Sequence, residues 1–456
     1  MKNKQRDMLS GPLFPSIVAY TVPIILTSLL QLLFNAADLV VVGSRGQIYL
    51  SAVGATGAIT NLIVNLFIGL SIGAGVTMAQ AMGCRDQEAI HRTVHTALPT
   101  AALGGVVLTV VGIALAKTLL VWMDTPTNVL PYATAYMRIY FGGMVFNMVY
   151  NFGAALLRAA GDTQGPLVYL FIAGVCNVVM NLFFVLVCGM TVDGVALATI
   201  LSQAISAVLV VRALMRRTDA AQFCPGKMRI HRAQITKIVS LGLPAGIQSS
   251  LFSISNVLIQ SSINSFGDVF MAGNTAAANI EGFVYATMNA FHQTALNFTG
   301  QNVGAGQYKR VRKILGICLG CVTTVGIVVG CGVYLLRDPL LRIYIVDSPD
   351  AAQAIAAGAE RMLYVCVPYF LLGMMDVTTG VLRGLGSSLT PMVISVLGIC
   401  AFRVAWIYTA YASQPTPGVL FFSYPVSWVL TFVLQLAAFI LIFRRKLAAR
   451  SRLAAA

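Results

Sequence analysis

The chain has 456 residues, of which 58% are apolar and 10% charged, with a formal net charge of +15 and a mean hydropathy of +0.82. A soluble globular chain is about 45–50% apolar and about 25% charged, so this composition excludes a soluble enzyme, a nucleic-acid binder and a disordered chain. What remains is an all-α polytopic membrane protein, because about 20 mostly apolar residues suffice to cross a bilayer as one helix.

Twelve apolar spans follow one another near residues 13–42, 50–83, 91–116, 131–158, 163–189, 193–212, 237–263, 271–304, 312–336, 354–383, 388–412 and 417–443. The first is too long for the apolar core of a cleavable signal and is expected to be retained as a helix. With the amino terminus placed inside, the inner loops carry 23 Lys and Arg and the outer loops 4 (Arg45, Lys117, Arg337, Arg342). Arg138, Arg361 and Arg403 fall within spans. Basic residues concentrate in cytoplasmic loops, so the sequence predicts both termini in the cytoplasm and a multi-pass protein of the plasma (inner) membrane. The positive charge then reports topology, and no nucleic-acid partner is expected. The nine cysteines are scattered, and Cys318 and Cys321 read as small packing residues. His91 and His95, four residues apart at the start of the third span, read as surface residues of a basic loop.

The sequence also repeats itself. One constant, ungapped shift lays Ile17-Val18 on Ile238-Val239, Pro23 on Pro244, Asn35 on Asn256, Gly46 on Gly267 and Gln80 on Gln301. Farther on, a slightly longer shift lays Leu157-Arg158, Gly161 and Pro166 on Leu382-Arg383, Gly386 and Pro391. Each copy holds six spans, an even number, so both copies start on the same membrane side. The expected architecture is two six-helix lobes related by a pseudo-two-fold axis along the membrane normal. The lobes are 1–212 and 237–456, joined by a basic cytoplasmic linker, 213–236. Two such bundles facing each other suit an alternating-access carrier. Pro23, Pro244, Pro368 and Pro425 are candidate bends.

The motifs resemble those of the multidrug and toxic compound extrusion (MATE) family, bacterial type. The first span carries Gln31 and then Phe34-Asn35-Ala36-Ala37-Asp38, similar to the family's aromatic-Asn-x-x-Asp run. The second opens Leu50-Ser51-Ala52-Val53-Gly54 and the fourth ends Leu157-Arg158-Ala159-Ala160-Gly161-Asp162. The fifth has Asn177 and Asn181, and the sixth opens Gly194-Val195-Ala196-Leu197-Ala198-Thr199 with Ser202-Gln203 after it. The resemblance implies an exporter that exchanges protons or sodium ions for small organic, often cationic and aromatic, compounds. Many members carry an acid where this chain has Asn181, which leaves Asp38 as the acid of the first lobe.

Eleven of the 15 acids, Asp347 among them, lie in loops, and Glu360 sits beside Arg361. Asp38, Glu281 and Asp376 remain within spans. A charge there is costly and faces the bundle interior or a cavity. The expected cation-coupling set is Asp38 with Asn35, Asn151, Asn177 and Asn181. These are polar groups repeated at i,i+3 and i,i+4 spacing on one face of each helix. A proton on Asp38 would serve, as would sodium held by Asp38, Asn177 and Asn181. The expected substrate and cavity set is Gln31, Asn256, Gln260, Glu281 and Asp376. The bland alternatives are that Asp38 meets interfacial water, that Glu281 is paired and that Asp376 pairs with Arg403. No Walker A motif, HExxH or nucleophile set is present, so neither an enzyme nor a cofactor is expected. The partners expected are the lipid bilayer and small organic substrates, with the monomer as the working unit. A lipid-linked precursor flippase, needing a basic cavity, is the alternative within transport. An intramembrane enzyme is the alternative of another class.

Overall fold

The structure is a computed structural model and describes residues 7–345 and 349–455. Lys2, Lys4, Arg6 and Asp347 lie outside the described residues, as does the start of the chain.

Helices cover each of the twelve spans, in the order α1 (Leu13–Gly43), α2 (Gln47–Cys84), α3 (Gln87–Trp122), α4 (Leu130–Gly142), α5 (Met144–Ala159), α6 (Gln164–Leu182), α7 (Val192–Met215), α8 (Arg232–Asn264), α9 (Asp268–Gly304), α10 (Tyr308–Leu335), α11 (Arg337–Arg342), α12 (Ala351–Val365), α13 (Tyr369–Gly384), α14 (Leu389–Ser395), α15 (Phe402–Trp406) and α16 (Pro417–Ala455). The short α11 lies between spans. Among the described residues, nine helices are long and apolar enough to cross a membrane, and two bent pairs bring the number to eleven. The twelfth is α9. It is too polar to qualify, yet its polar residues His292, Thr294, Asn297, Thr299 and Asn302 are buried. Its neighbours are α10, α12 and α13, so protein rather than lipid covers it.

The two bent pairs break at equivalent places. α4 meets α5 at 48° at Gly143, and α12 meets α13 at 44° beside Pro368. The shift that lays Pro166 on Pro391 also lays Gly143 on Pro368. Of the four candidate prolines, Pro368 marks a break, while Pro23, Pro244 and Pro425 lie inside uninterrupted helices. A π-helical turn, Phe183–Val187, continues α6. Two more, Val396–Ala401 and Ile407–Tyr411, flank α15.

The chain forms two compact units. One contains Val22–Ser250; the other contains Leu9–Thr21 and the chain from Leu251 onward. Both divisions therefore fall inside a helix, α1 and α8. The first half of α8 belongs to the first unit because it crosses α2 backbone to backbone. A Cβ added at Gly69 would lie 2.2 Å from Gly246 N, and one at Gly73 would lie 2.1 Å from Ile238 O. Paired glycines at i,i+4 permit such an approach, as in small-xxx-small crossings of membrane helices. The start of α1 belongs to the second unit, where Thr21 and Thr294 hydroxyls are 2.8 Å apart.

The linker is ordered against the first unit. Cys224 N donates to His95 Nε2 at 3.0 Å, His231 N donates to Thr96 Oγ1 at 3.1 Å, and Phe223 packs on the His95 ring. His95 is thus fully buried, which corrects its reading as a surface residue. The linker backbone covers it, and that tertiary contact leaves no trace in local spacing.

Candidate functional site

The first unit holds a solvent-open pocket. Its wall is built from polar residues of four helices. α1 supplies Gln31, Asn35 and Asp38; α5 supplies Asn147 and Asn151; α6 supplies Asn177; α7 supplies Thr199, Ser202, Gln203 and Ser206. On α1, α5 and α7 these residues recur at three- or four-residue steps, which places them on one helix face.

Asp38 is the carboxylate of this pocket. Asn181 Nδ2 donates to Asp38 Oδ1 at 2.5 Å and lies 3.2 Å from Asn177 Oδ1. Thr199 Oγ1 is 3.4 Å from Asp38 Oδ2 and 2.9 Å from Val195 O. A hydroxyl has one hydrogen and two acceptor sites. With that hydrogen on Val195 O, Thr199 can accept a proton-bearing Oδ2 or turn a lone pair to a cation. Asn181 Oδ1 is buried and receives no hydrogen bond among the described residues, so an unused oxygen sits beside the acid. The donor set is one carboxylate with amide and hydroxyl oxygens. It fits a proton or a hard monovalent cation such as sodium. Among the described residues, no group of three or more His, Cys, Asp or Glu could hold a metal ion.

Four of the five residues of the expected coupling set thus line one pocket, and the fifth, Asn181, bonds to its acid from behind. Asn151 Nδ2 donates to Asn147 Oδ1 at 2.9 Å on the same wall. Gln31, expected in the cavity set, lines this pocket too. Sequence reasoning quoted Thr199 and Ser202-Gln203 only as family motif and gave the α7 stripe no site role, although Thr199, Ser202, Gln203 and Ser206 keep helical spacing on an otherwise apolar span. That spacing is the signal that could have found it.

The rest of the cavity set lies in the second unit and does not converge. Asn256 is exposed on α8, and Gln260 donates to Asn264 at 2.9 Å on the same helix. Glu281 on α9 is committed to Arg361 of α12. Arg361 Nη2 and Nε donate to Glu281 Oε2 at 2.6 and 3.2 Å, Nη1 donates to Asn274, and Tyr369 donates to Oε1 at 3.2 Å. Asp376 is half-buried on α13. Its backbone oxygen accepts from His292 Nδ1 at 2.7 Å, and Arg383 Nη1 donates toward His292 Nε2 at 3.4 Å. His292 therefore ties α9 to α13 as a neutral imidazole. Arg403, the alternative partner considered for Asp376, instead donates from Nε to Ser427 Oγ at 3.0 Å and lies over the Tyr424 ring at 4.0 Å.

The MatE family model matches residues 23–183 and again 244–409, so the second match opens at Pro244, the repeat counterpart of Pro23. The chain belongs to the MatE family. The resemblance read from its motifs is borne out, and the doubled match is the repeat seen in the sequence. Among curated relatives, the chain is 26% identical to the probable multidrug resistance protein YpnP of Bacillus subtilis over 91% of this chain and 93% of that one. It is 25% identical to the probable multidrug resistance protein YoeA of the same organism over 94% of each. Its fold is that of a crystal structure of MATE in the bent conformation, with a TM-score of 0.87 and 19% identity over the full length of both chains. The MatE chain described here is accordingly a polytopic membrane protein of twelve membrane helices in two sets of six.

Proposed function

We propose that this MatE protein is a secondary active exporter that lets protons or sodium ions in and moves small organic compounds out by alternating access. The observation that carries the reading is the Asp38 carboxylate, held by Asn181 and Thr199 at the edge of a solvent-open polar pocket. Relatives described as multidrug resistance proteins over nearly the whole chain support it. Cation binding at Asp38 satisfies an acid that otherwise faces only amides and a hydroxyl. An ion drives such a cycle only through a difference in its affinity for two conformations, and a single acid set among neutral oxygens supplies a site whose charge the ion cancels. With Asn181 in place of a second acid, Asp38 is the one carboxylate lining this pocket. Protonation needs only Asp38 and Thr199. Sodium would also require Asn177 and Asn181 to present their amide oxygens.

The reading puts the protein in the inner membrane, with both termini in the cytoplasm as the charge distribution predicts. The 1–212 and 237–456 halves are the two lobes, 213–236 is the cytoplasmic joint, and the monomer is the working unit. Substrates are flat organic compounds, cationic or aromatic. The test is ethidium efflux from proteoliposomes under an imposed proton or sodium gradient, comparing wild type with Asp38→Asn. Gradient-driven efflux lost in the variant is the expected result, and the gradient that drives it names the ion. Efflux undiminished in Asp38→Asn would refute coupling at this pocket.

A further inference from the structure

The second unit buries two guanidinium groups around one aromatic ring and supplies one carboxylate between them. Arg361 and Arg403 are 7% and 5% exposed, and lie 5.8 and 4.0 Å from the centre of the Tyr424 ring. Glu281 is taken up by Arg361, Asn274 completes that guanidinium, and Tyr369 occupies the other carboxylate oxygen. Glu360, the neighbouring acid, lies beside Gly418. Arg403 has Ser427 on Nε, the through-space attraction of Glu281, and aromatic faces, Tyr424 at 4.0 Å and Trp428 at 6.0 Å. Among the described residues, no acceptor meets Nη1 or Nη2.

We infer that Arg403 receives the anionic group of an aromatic organic anion, such as a carboxylate, through its free Nη1–Nη2 edge, with Tyr424 and Trp428 packing against the ring. Three observations converge on this. A buried charge within the membrane marks a functional site by default, and Glu281, the one acid whose charge acts on Arg403, spends its hydrogen bonds on Arg361 and Tyr369. The open edge of a guanidinium is a planar fork that matches a carboxylate with two parallel hydrogen bonds. Finally, α15, the five-residue helix that carries Arg403, is bracketed by the π-helical turns Val396–Ala401 and Ile407–Tyr411. Such turns loosen the backbone ladder and occur often at functional sites. The inference rests on the export reading in naming a substrate class, and it adds amphiphilic anions and zwitterions to the expected organic cations.

The test is equilibrium dialysis of the purified full-length protein in detergent against benzoate and its neutral isostere benzamide, in wild type, Arg403→Gln and Arg403→Lys. Wild type should bind benzoate about tenfold more tightly than benzamide, the scale of one net hydrogen bond to a charged group. Arg403→Gln should abolish that preference. Arg403→Lys, a point charge without the fork, should lose most of it, and it decides the matter if Arg403→Gln does not fold. Equal binding of the two probes by wild type, or an undiminished preference in the folded variants, would overturn the inference. The same purified proteins, reconstituted into proteoliposomes, are assayed for gradient-driven ethidium efflux. Efflux without a benzoate preference sinks this inference alone, and a benzoate preference without efflux sinks the export reading alone.

Discussion

Breaking the Glu281–Arg361 pair should cost stability before it costs transport. Arg361→Met removes both hydrogen bonds to Glu281 Oε2, at 2.6 and 3.2 Å, and the one to Asn274. It leaves a carboxylate that is only 16% exposed with Tyr369 as its sole donor. Removing one partner of a buried ion pair costs about 3–5 kcal/mol, because the other charge stays buried and uncompensated. For a unit of this size, each kcal/mol shifts the melting temperature by about 2–4 °C, so the variant should melt about 6–20 °C below wild type. Glu281→Gln should fall in the same direction, since Arg361 keeps its charge. The double variant, with neither charge, should recover most of the loss, because replacing both partners is often neutral. Thermal unfolding of the four proteins in detergent, read as a double-mutant cycle, gives the coupling directly. Two results would refute the reasoning. One is Arg361→Met melting within about 2 °C of wild type, the effect of a single kcal/mol. The other is Glu281→Gln losing export at an unchanged melting temperature, which would return Glu281 to the substrate path.

Further expectations follow from the first unit. Gly69→Ala or Gly246→Ala would place a Cβ 2.2 Å from the facing backbone. Either should destabilise the protein by about 1–3 kcal/mol, and thermal melts would show it. Asn181→Ala leaves Asp38 with Thr199 alone and should reduce gradient-driven efflux strongly while cation-independent substrate binding persists, as efflux and equilibrium binding measured side by side would tell. His95→Ala removes the acceptor for Cys224 N and the ring beneath Phe223. The linker should then open roughly 5–30-fold more often, for a local loss of about 1–2 kcal/mol. Limited trypsinolysis at Lys227 and Arg229, both exposed, would measure this opening.

The membrane spans were legible because long apolar runs and loop charges are properties of composition, which no tertiary contact overrides. The span 271–304 was read among the apolar runs, and α9 forms there although it falls short of the apolarity that marks the other spans. The Asp38 pocket was partly legible, since Asn177 and Asn181 stand four residues apart on a helix and the first-span motif names the acid. The bond that joins them, from Asn181 to Asp38, links positions 143 residues apart and is written in no local spacing. The same holds for Glu281 and Arg361, 80 residues apart, and for His95 and the linker, 129 residues apart. Nor could spacing show that the compact units divide within α1 and α8. That division follows from the glycine crossing of α2 on α8 and from the Thr21–Thr294 contact.

The duplicated halves keep the scaffold and exchange the chemistry. The breaks at Gly143 and Pro368 stand at the same offset as Pro166 and Pro391. The shift that overlays the first helices carries Asp38 onto Ile259, a residue 1% exposed. The shift that overlays the later ones carries Asn177 and Asn181 onto Phe402 and Trp406, whose rings meet at 5.6 Å on either side of Arg403 in sequence. Where the first half sets an acid among amides, the second has an aliphatic residue and an aromatic pair beside a guanidinium. An acid moved to position 259 would therefore find none of the amide oxygens that hold Asp38. Ile259→Asp should misfold or stay uncoupled, rather than create a second ion site. Bends and close helix contacts are backbone geometry, and a duplicated chain must retain them to keep packing. The charged residues are free to diverge once each half has a separate task. On the readings proposed above, the acid of the first half would take a coupling cation and the Arg403 guanidinium of the second an anion on the cargo.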